Sequence, residues 1–162
     1  MNQLELLTLV QVLGVPQCSD RPTAKDWAEV LATFPLFLEV SRRRLRRLAR
    51  HATSAEFAPG ERIVVSGDRS TFLYVILDGD ARAVTTRESR MLRTGDYFGE
   101  MAMIDGGARP ATVVAMSHVH VLKLPAASFL RLTRRYPAIT LRMLRDLTIR
   151  LRNVETRVAQ AG

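Results

Sequence analysis

From Ala55 to Leu124 the chain is a succession of short apolar runs punctuated by glycine turns, and this texture limits the fold more than any other feature. The runs are Glu56–Ala58, Ile63–Val65, Phe72–Leu77, Ala81–Thr85, Ala111–Met116 and Val119–Leu124, rich in valine, isoleucine and aromatic residues. Between them stand Pro59-Gly60, Gly67-Asp68, Asp78-Gly79 and Gly95-Asp96, pairs that favour tight reversals. Short strands separated by regular turns predict an antiparallel sandwich, roll or barrel. The strand–helix alternation of a parallel sheet is missing, which excludes a Rossmann fold. Gly99–Gly107 breaks the series with the pattern of a very short helix.

Helical texture flanks the strands. Leu4, Leu7 and Gln11 lie at helical spacing before Gly14 and Pro16. A second helix is expected around Asp26–Thr33, closed by Pro35, and a third from Ser41 as N-cap to about Thr53. In the third, Leu45, Leu48, Ala49 and Ala52 define one face. Past Pro125 a helix over Ala126–Arg135 precedes a longer one from Pro137, where proline suits the first turn. Leu144, Leu147, Leu151, Val154 and Val158 step by three and four, a heptad seam too short for a sustained coiled coil. The seam is expected to be intrachain core, with a homodimer through Leu144, Leu147, Leu151 and Val154 as the alternative. The domain plan is a helical extension over 1–33 and one domain over 34–162, its roll at about 55–124 and its C-terminal helices at about 126–158.

A chain of 162 residues fits one ordinary domain. Its single cysteine, Cys18, excludes a disulfide framework and a cysteine-rich zinc module. No apolar run approaches the roughly eighteen residues of a membrane span. The nearest, Leu4–Val15, is interrupted by Glu5, Thr8 and Gln11 and lacks the basic start of a secretory signal. A soluble, cytoplasmic protein is expected. The balance of 24 basic and 16 acidic residues permits anionic partners without specifying a fold. Nearly all the basic residues are arginines, Lys25 and Lys123 being the only lysines.

The chemistry concentrates in Gly95–Met103 and Ala108–Val113. Gly99 allows close backbone approach and precedes a short helix whose first amides are unpaired, an arrangement suited to an anion. Arg109 adds a fixed positive fork that matches a phosphate. Glu100 accepts only, and a sugar hydroxyl is one of the few neutral groups it can bind. A carboxylate, an arginine and free amides around one turn describe a ribose phosphate site. The residues alone leave open the alternative that Glu100 and Arg109 pair with each other across the loop.

This segment resembles the phosphate-binding cassette of the cyclic nucleotide-binding domains: phenylalanine-glycine-glutamate, an aliphatic mini-helix, then arginine-x-alanine-serine or threonine. Phe57-Ala58-Pro59-Gly60-Glu61, Gly67-Asp68, Leu73-Tyr74-Val75-Ile76 and Gly79 also resemble that family's roll at the expected spacings. The likeness runs from about Phe34 to Val154, and linked motifs in order make it specific. It implies an eight-stranded antiparallel β-roll of the double-stranded β-helix or jelly-roll type, with flanking helices. It further implies a ligand site of Phe98, Gly99, Glu100, Met101, Ala102, Arg109, Pro110, Ala111 and Thr112. In that site Glu100 receives the ribose 2′-hydroxyl, Arg109 and the amides after Gly99 and at Ala111 hold the cyclic phosphate, and Thr112 assists near the phosphate or base. Leu92 is the expected wall for the base, and Leu144, Arg145 and Thr148 the expected lid from the last helix. Pro110 has neither hydroxyl nor N–H to offer guanine where members preferring cGMP often carry a hydroxyl, so cAMP is the expected ligand over cGMP.

Other features weigh less. His118 and His120 alternate on one strand like a cupin metal pair, but two ligands are too few and no metal is expected. His51 reads as a helix-end surface residue, and Cys18 has no activating neighbour at motif spacing. Arg42, Arg43, Arg44, Arg46, Arg47 and Arg50 cover every side of a helix except its apolar face, a pattern that usually means a solvated surface. Contact with nucleic acid or anionic lipid is the sharper alternative. No triad, metal cluster or paired carboxylates point to catalysis, so an enzyme is not expected. The chain stops at Gly162, where nucleotide-regulated transcription factors continue into a helix-turn-helix, so DNA is not an expected partner either. The expectation is a cAMP-binding regulatory module acting through its C-terminal helix on a separate effector protein. The alternative is a nucleotide-independent scaffold of the same fold that contacts a protein or polyanion through its helices.

Overall fold

The computed structural model describes residues 22–161. The expected helix at Leu4–Gln11 and Cys18 lie outside the described residues. Helix α1 (Ala24–Thr33) opens on a reciprocal cap, in which Thr23 Oγ1 accepts from the Asp26 amide and Asp26 Oδ2 accepts from the Thr23 amide at 2.8 Å. A 3-10 turn at Pro35–Phe37 leads to α2 (Arg42–Ala49). Eight strands follow: β1 (Thr53–Phe57), β2 (Arg62–Val64), β3 (Phe72–Asp78), β4 (Ala81–Val84), β5 (Ser89–Leu92), β6 (Tyr97–Phe98), β7 (Thr112–Ala115) and β8 (Val119–Pro125). The short α3 (Glu100–Asp105) lies between β6 and β7, while α4 (Ala126–Arg135) and α5 (Pro137–Ala161) end the chain.

The strands form two four-stranded antiparallel sheets, in the orders β1-β8-β3-β6 and β2-β7-β4-β5. β3, and β8 apart from His120 and Lys123, are apolar without alternation because both their faces are covered. Leu73, Val75 and Leu77, with Leu122 and Leu124, face a helical core that includes Leu31, Phe34, Phe37, Leu45 and Phe129. Tyr74 and Ile76, with Val119 and Val121, face a second core shared with Val64, Leu92, Phe98 and Val113 of the other strands. The β3–β4 turn needs glycine: Gly79 has φ +88°, and a Cβ there would lie 2.1 Å from the His118 carbonyl oxygen.

Two expectations change at this level. The third helix ends at Ala49 rather than near Thr53, since Thr53 already pairs with Lys123 as the first residue of β1. Ser89–Leu92 and Tyr97–Phe98 are strands although neither carries valine or isoleucine; pairing to β4 and β3 extends them where propensity alone does not. Among the described residues no helix is long and apolar enough to cross a membrane.

His118 and His120 are both engaged by the protein itself. His118 Nε2 lies 3.5 Å from a Glu56 carboxylate oxygen, and buried His120 stands edge-on to Trp27 of α1 with ring centroids 6.1 Å apart. Burial pulls His120 below the ordinary histidine value of 6.5, against the opposing pull of Glu56 and Asp78. The unfolded chain therefore takes up that proton first as the pH falls, and the neutral imidazole's contribution to stability is lost on acidification through about pH 6.5. Melting curves between about pH 7.5 and pH 5 should show a decline that His120→Gln makes shallower; an identical slope in both proteins would exclude this assignment.

Candidate functional site

The turn from β6 into α3 sets the geometry. Gly99 has φ +89°, and a Cβ there would fall 2.3 Å from Arg109 Nη1 and 2.9 Å from the Phe72 carbonyl oxygen. The space that glycine leaves is filled by the Arg109 guanidinium. Nη1 donates to the Gly99 carbonyl at 2.8 Å, and Nη2 donates to the Phe72 carbonyl at 2.6 Å and to Ser70 Oγ at 3.0 Å. The guanidinium carbon stands 5.4 Å from the centroid of the Tyr74 ring, which is stacked on Phe98 at 4.9 Å. Arg109 is only 3% exposed, and its Nε–H is buried without an acceptor among the described residues. Such a buried donor costs about 1–3 kcal/mol while unmet.

The backbone of Arg109 is clamped by the β2–β3 loop. Its amide donates to the Asp68 carbonyl at 2.8 Å and its carbonyl accepts from the Gly67 amide at 2.9 Å. Thr112 completes the clamp by accepting from the Ser66 amide at 3.0 Å. Burial pulls Arg109 down from the ordinary arginine value, with Tyr74, Glu100 and Asp68 opposing. An arginine so placed keeps its charge.

Glu100 is 3% exposed, and its partner is not Arg109. Arg150 of α5 donates through Nη1 to Glu100 Oε1 and through Nη2 to the Tyr97 carbonyl at 3.4 Å. Its guanidinium lies 5.3 Å from the centroid of the Tyr97 ring. The Tyr97 hydroxyl in turn donates to Asp146 Oδ2 at 2.7 Å, and burial followed by this bond pushes the phenol well above its ordinary range. Two polar ties, one turn apart, thus fix the rotation of α5 over the roll.

Between roll and helix lies a cavity of about 420 Å³. Of the ligand-site residues that the resemblance implies, Phe98, Gly99, Glu100, Met101, Arg109, Pro110 and Ala111 stand at its wall. Ala102 and Thr112 do not: Ala102 is buried within α3, and the Thr112 hydroxyl serves the β2–β3 loop. Leu92 is wholly buried between the sheets; Arg90, two residues nearer the opening on the same face of β5, takes its place with Val64, Ala83, Thr85 and Val113. Leu144, Arg145 and Thr148 point to solvent. The helix wall is formed one turn later by Leu147, Arg150, Leu151, Asn153 and Val154, because Ile139 and Met143 anchor the start of α5 in the helical core and every fourth residue thereafter faces the roll. The heptad seam holds Leu147, Leu151 and Val154, which border the cavity, and Leu144, which does not. Three guanidiniums, Arg90, Arg109 and Arg150, and two carboxylates, Glu88 and Glu100, line the space. Burial and the neighbouring Arg150 charge pull Arg90 below its ordinary value, so a ligand anion would relieve like-charge crowding.

Residues 54–136 match the family model described as the cyclic nucleotide-binding domain. The cGMP-dependent protein kinase of Toxoplasma gondii is 35% identical over 100 residues, covering 61% of this chain and 10% of the kinase. The cyclic AMP receptor protein of Thermus thermophilus is 31% identical over 105 residues, covering 61% of this chain and 49% of that protein. The regulatory subunit of a cAMP-independent protein kinase A from Trypanosoma cruzi, solved bound to guanosine, superposes with a TM-score of 0.68 at 26% identity, over 84% of this chain and 50% of that one. The chain spans from a tenth to about half the length of these curated relatives. With its two four-stranded sheets, its glycine-buried arginine and this match across half its length, the chain belongs to the cyclic nucleotide-binding domain family.

Proposed function

We propose that the cavity binds a cyclic nucleoside monophosphate, cAMP in preference to cGMP, and that α5 reports its occupancy to a separate effector. Arg109 carries the reading. It is a buried cation at the cavity wall with one N–H unmet, which a phosphate oxygen would satisfy. Glu100 is suited to the sugar. Arg150 engages Oε1, so Oε2 is available to accept a ribose hydroxyl, and one carboxylate would then hold both ligand and helix. A nucleotide on Oε2 favours the helix arrangement that keeps Arg150 on Oε1, and shifts α5 by no more than that difference in affinity.

The preference for cAMP rests on Pro110, which lines the cavity and has no donor for guanine. A second reading, cGMP, is favoured by Arg90, a donor fork on β5 at the same cavity and of the type that pairs with guanine O6 and N7. In the domain plan that accompanies this proposal, 34–162 forms the binding domain and 1–33 its helical extension. Leu144 and Leu151 of α5 are 59% and 58% exposed, available for pairing with a second copy of the chain, and the scaffold alternative predicts no nucleotide affinity at all.

Calorimetric titration should give tighter binding of cAMP than of cGMP; equal affinities, or cGMP the tighter, would assign the base end to Arg90 instead. Arg109→Ala should weaken cAMP at least a hundredfold, about 3 kcal/mol, and unchanged binding would remove the site. For Arg150→Ala the expected change is in communication. Hydrogen exchange over residues 144–156 should slow on adding nucleotide to the native chain and stay unchanged in the variant. If the variant still shows protection there, the Glu100–Arg150 bridge is not the route.

A further inference from the structure

A second concavity, of about 350 Å³, lies between α2 and α4 and shares no lining residue with the nucleotide cavity. Arg44, Arg47 and Arg50 stand on one bank, Arg131 and Arg135 on the other. Among the described residues no carboxylate lines it, and none of the five arginines is in a salt bridge. His51 and Ser128 complete the rim, and the buried side chains of Leu48 and Leu132 close the floor.

Helix capping does not account for this arrangement. Cations in a last helical turn offset the helix dipole, which explains Arg47 on α2 and Arg135 on α4. Arg44 and Arg131 sit before those turns. Arg44, Arg47, Leu48 and His51 step by three, four and seven from the first, as do Ser128, Arg131, Leu132 and Arg135. Two helix faces of the same pattern therefore meet at one groove, polar at the rim and apolar below. At a rise of about 1.5 Å per residue the arginines of the first bank span about 9 Å and those of the second about 6 Å. The same field reaches Tyr136 at the end of α4: its hydrogen bond with Ser41, followed by the charges of Arg44 and Arg135, lowers the phenol's pKa.

We propose that this groove docks an acidic peptide segment of a partner protein, its carboxylates on the two arginine rows and its apolar side chains over Leu48 and Leu132. Two facing rows of this length exceed a single phosphate and match between one and two turns of helix. Among the described residues the lining offers no phenylalanine, tyrosine or tryptophan to stack a nucleobase, as binders of single-stranded nucleic acid do. The surface is concave, whereas a lipid headgroup layer is flat. The segment is not the chain's own start, where the first 21 residues carry only Glu5 and Asp20 as acids. Arginine is suited to the role because its planar fork binds carboxylates in pairs of hydrogen bonds.

The probe is a fluorescein-labelled peptide of repeated Glu-Glu-Leu units, followed by anisotropy with the full chain. Binding should weaken as salt is raised and fall at least tenfold in R47E/R131E. R62E/R82E, with the same change of charge at exposed positions of the second sheet, should bind as the native chain does. R50E/R135E repeats the test on the same groove should the first pair melt below the assay temperature. Both groove variants should keep the native affinity for cAMP, which separates this site from the nucleotide cavity. Equal binding by the groove variants would overturn the proposal, as would equal loss in R62E/R82E. A single-stranded oligonucleotide or anionic vesicle bound more tightly than the peptide, and lost with the same arginines, would replace the acidic segment with that partner.

Discussion

A buried guanidinium holds this molecule's functional half together. Arg109 ties the carbonyl before α3, the carbonyl that opens β3 and the serine ahead of it into one knot, while its own backbone is gripped by the β2–β3 loop. Burying a cation is costly unless acceptors surround it, and here the main chain supplies two of the three. Those carbonyls lie close enough only because position 99 lacks a Cβ. The anion-seeking charge and the strand ends that carry it are therefore one construction. Contacts within the fold hold the cation in place, so its ordering does not depend on binding.

What the sequence made visible follows from how local each interaction is. The roll could be read because β3 and β8 are covered on both faces and so appear as apolar runs, broken in β8 only by His120 and Lys123, and because turns at Gly67, Gly79 and Gly95 separate successive strands. β5 and β6 escaped because Ser89-Arg90-Met91-Leu92 and Tyr97-Phe98 are strands by virtue of their partners, not their composition. The cassette from Phe98 to Ala111 was legible as a linked motif, whereas the hold of Ser70, Phe72 and the β2–β3 loop on Arg109 is long-range and was not.

The remainder of the site is long-range. Arg150 meets Glu100 across fifty positions, and nothing in the spacing of α5 distinguishes the turn at Leu147 from the turn at Leu144. The rotation of that helix is decided by Ile139 and Met143 entering the helical core and by Asp146 reaching the Tyr97 hydroxyl. Leu92 illustrates the converse. It is apolar and on a strand, both true, yet two residues along the same face separate a position packed between the sheets from one at the cavity. The groove between α2 and α4 follows the same rule: the arginines of α2 are conspicuous alone, but their meaning changes once Arg131 and Arg135 stand opposite.

The attachment of α5 bears on how small a signal could move it. Among the described side chains of the helix beyond Met143 none is fully buried, and Leu144, Ile149 and Leu151 are each more than half exposed. Its hold on the roll is the partial cover of Leu147 and Val154 together with two polar ties. A helix end docked by so few apolar contacts belongs to the low-stability part of a fold, where local opening takes far less free energy than global unfolding. Coupling free energies between sites are typically about 1–3 kcal/mol. That is the size of one charge-assisted hydrogen bond, and Glu100 can supply it with the carboxylate oxygen that Arg150 leaves open. On the proposed reading, a tighter helix would need a larger differential than a single sugar hydroxyl gives, and the sparse packing of α5 suits a ligand contact of that size.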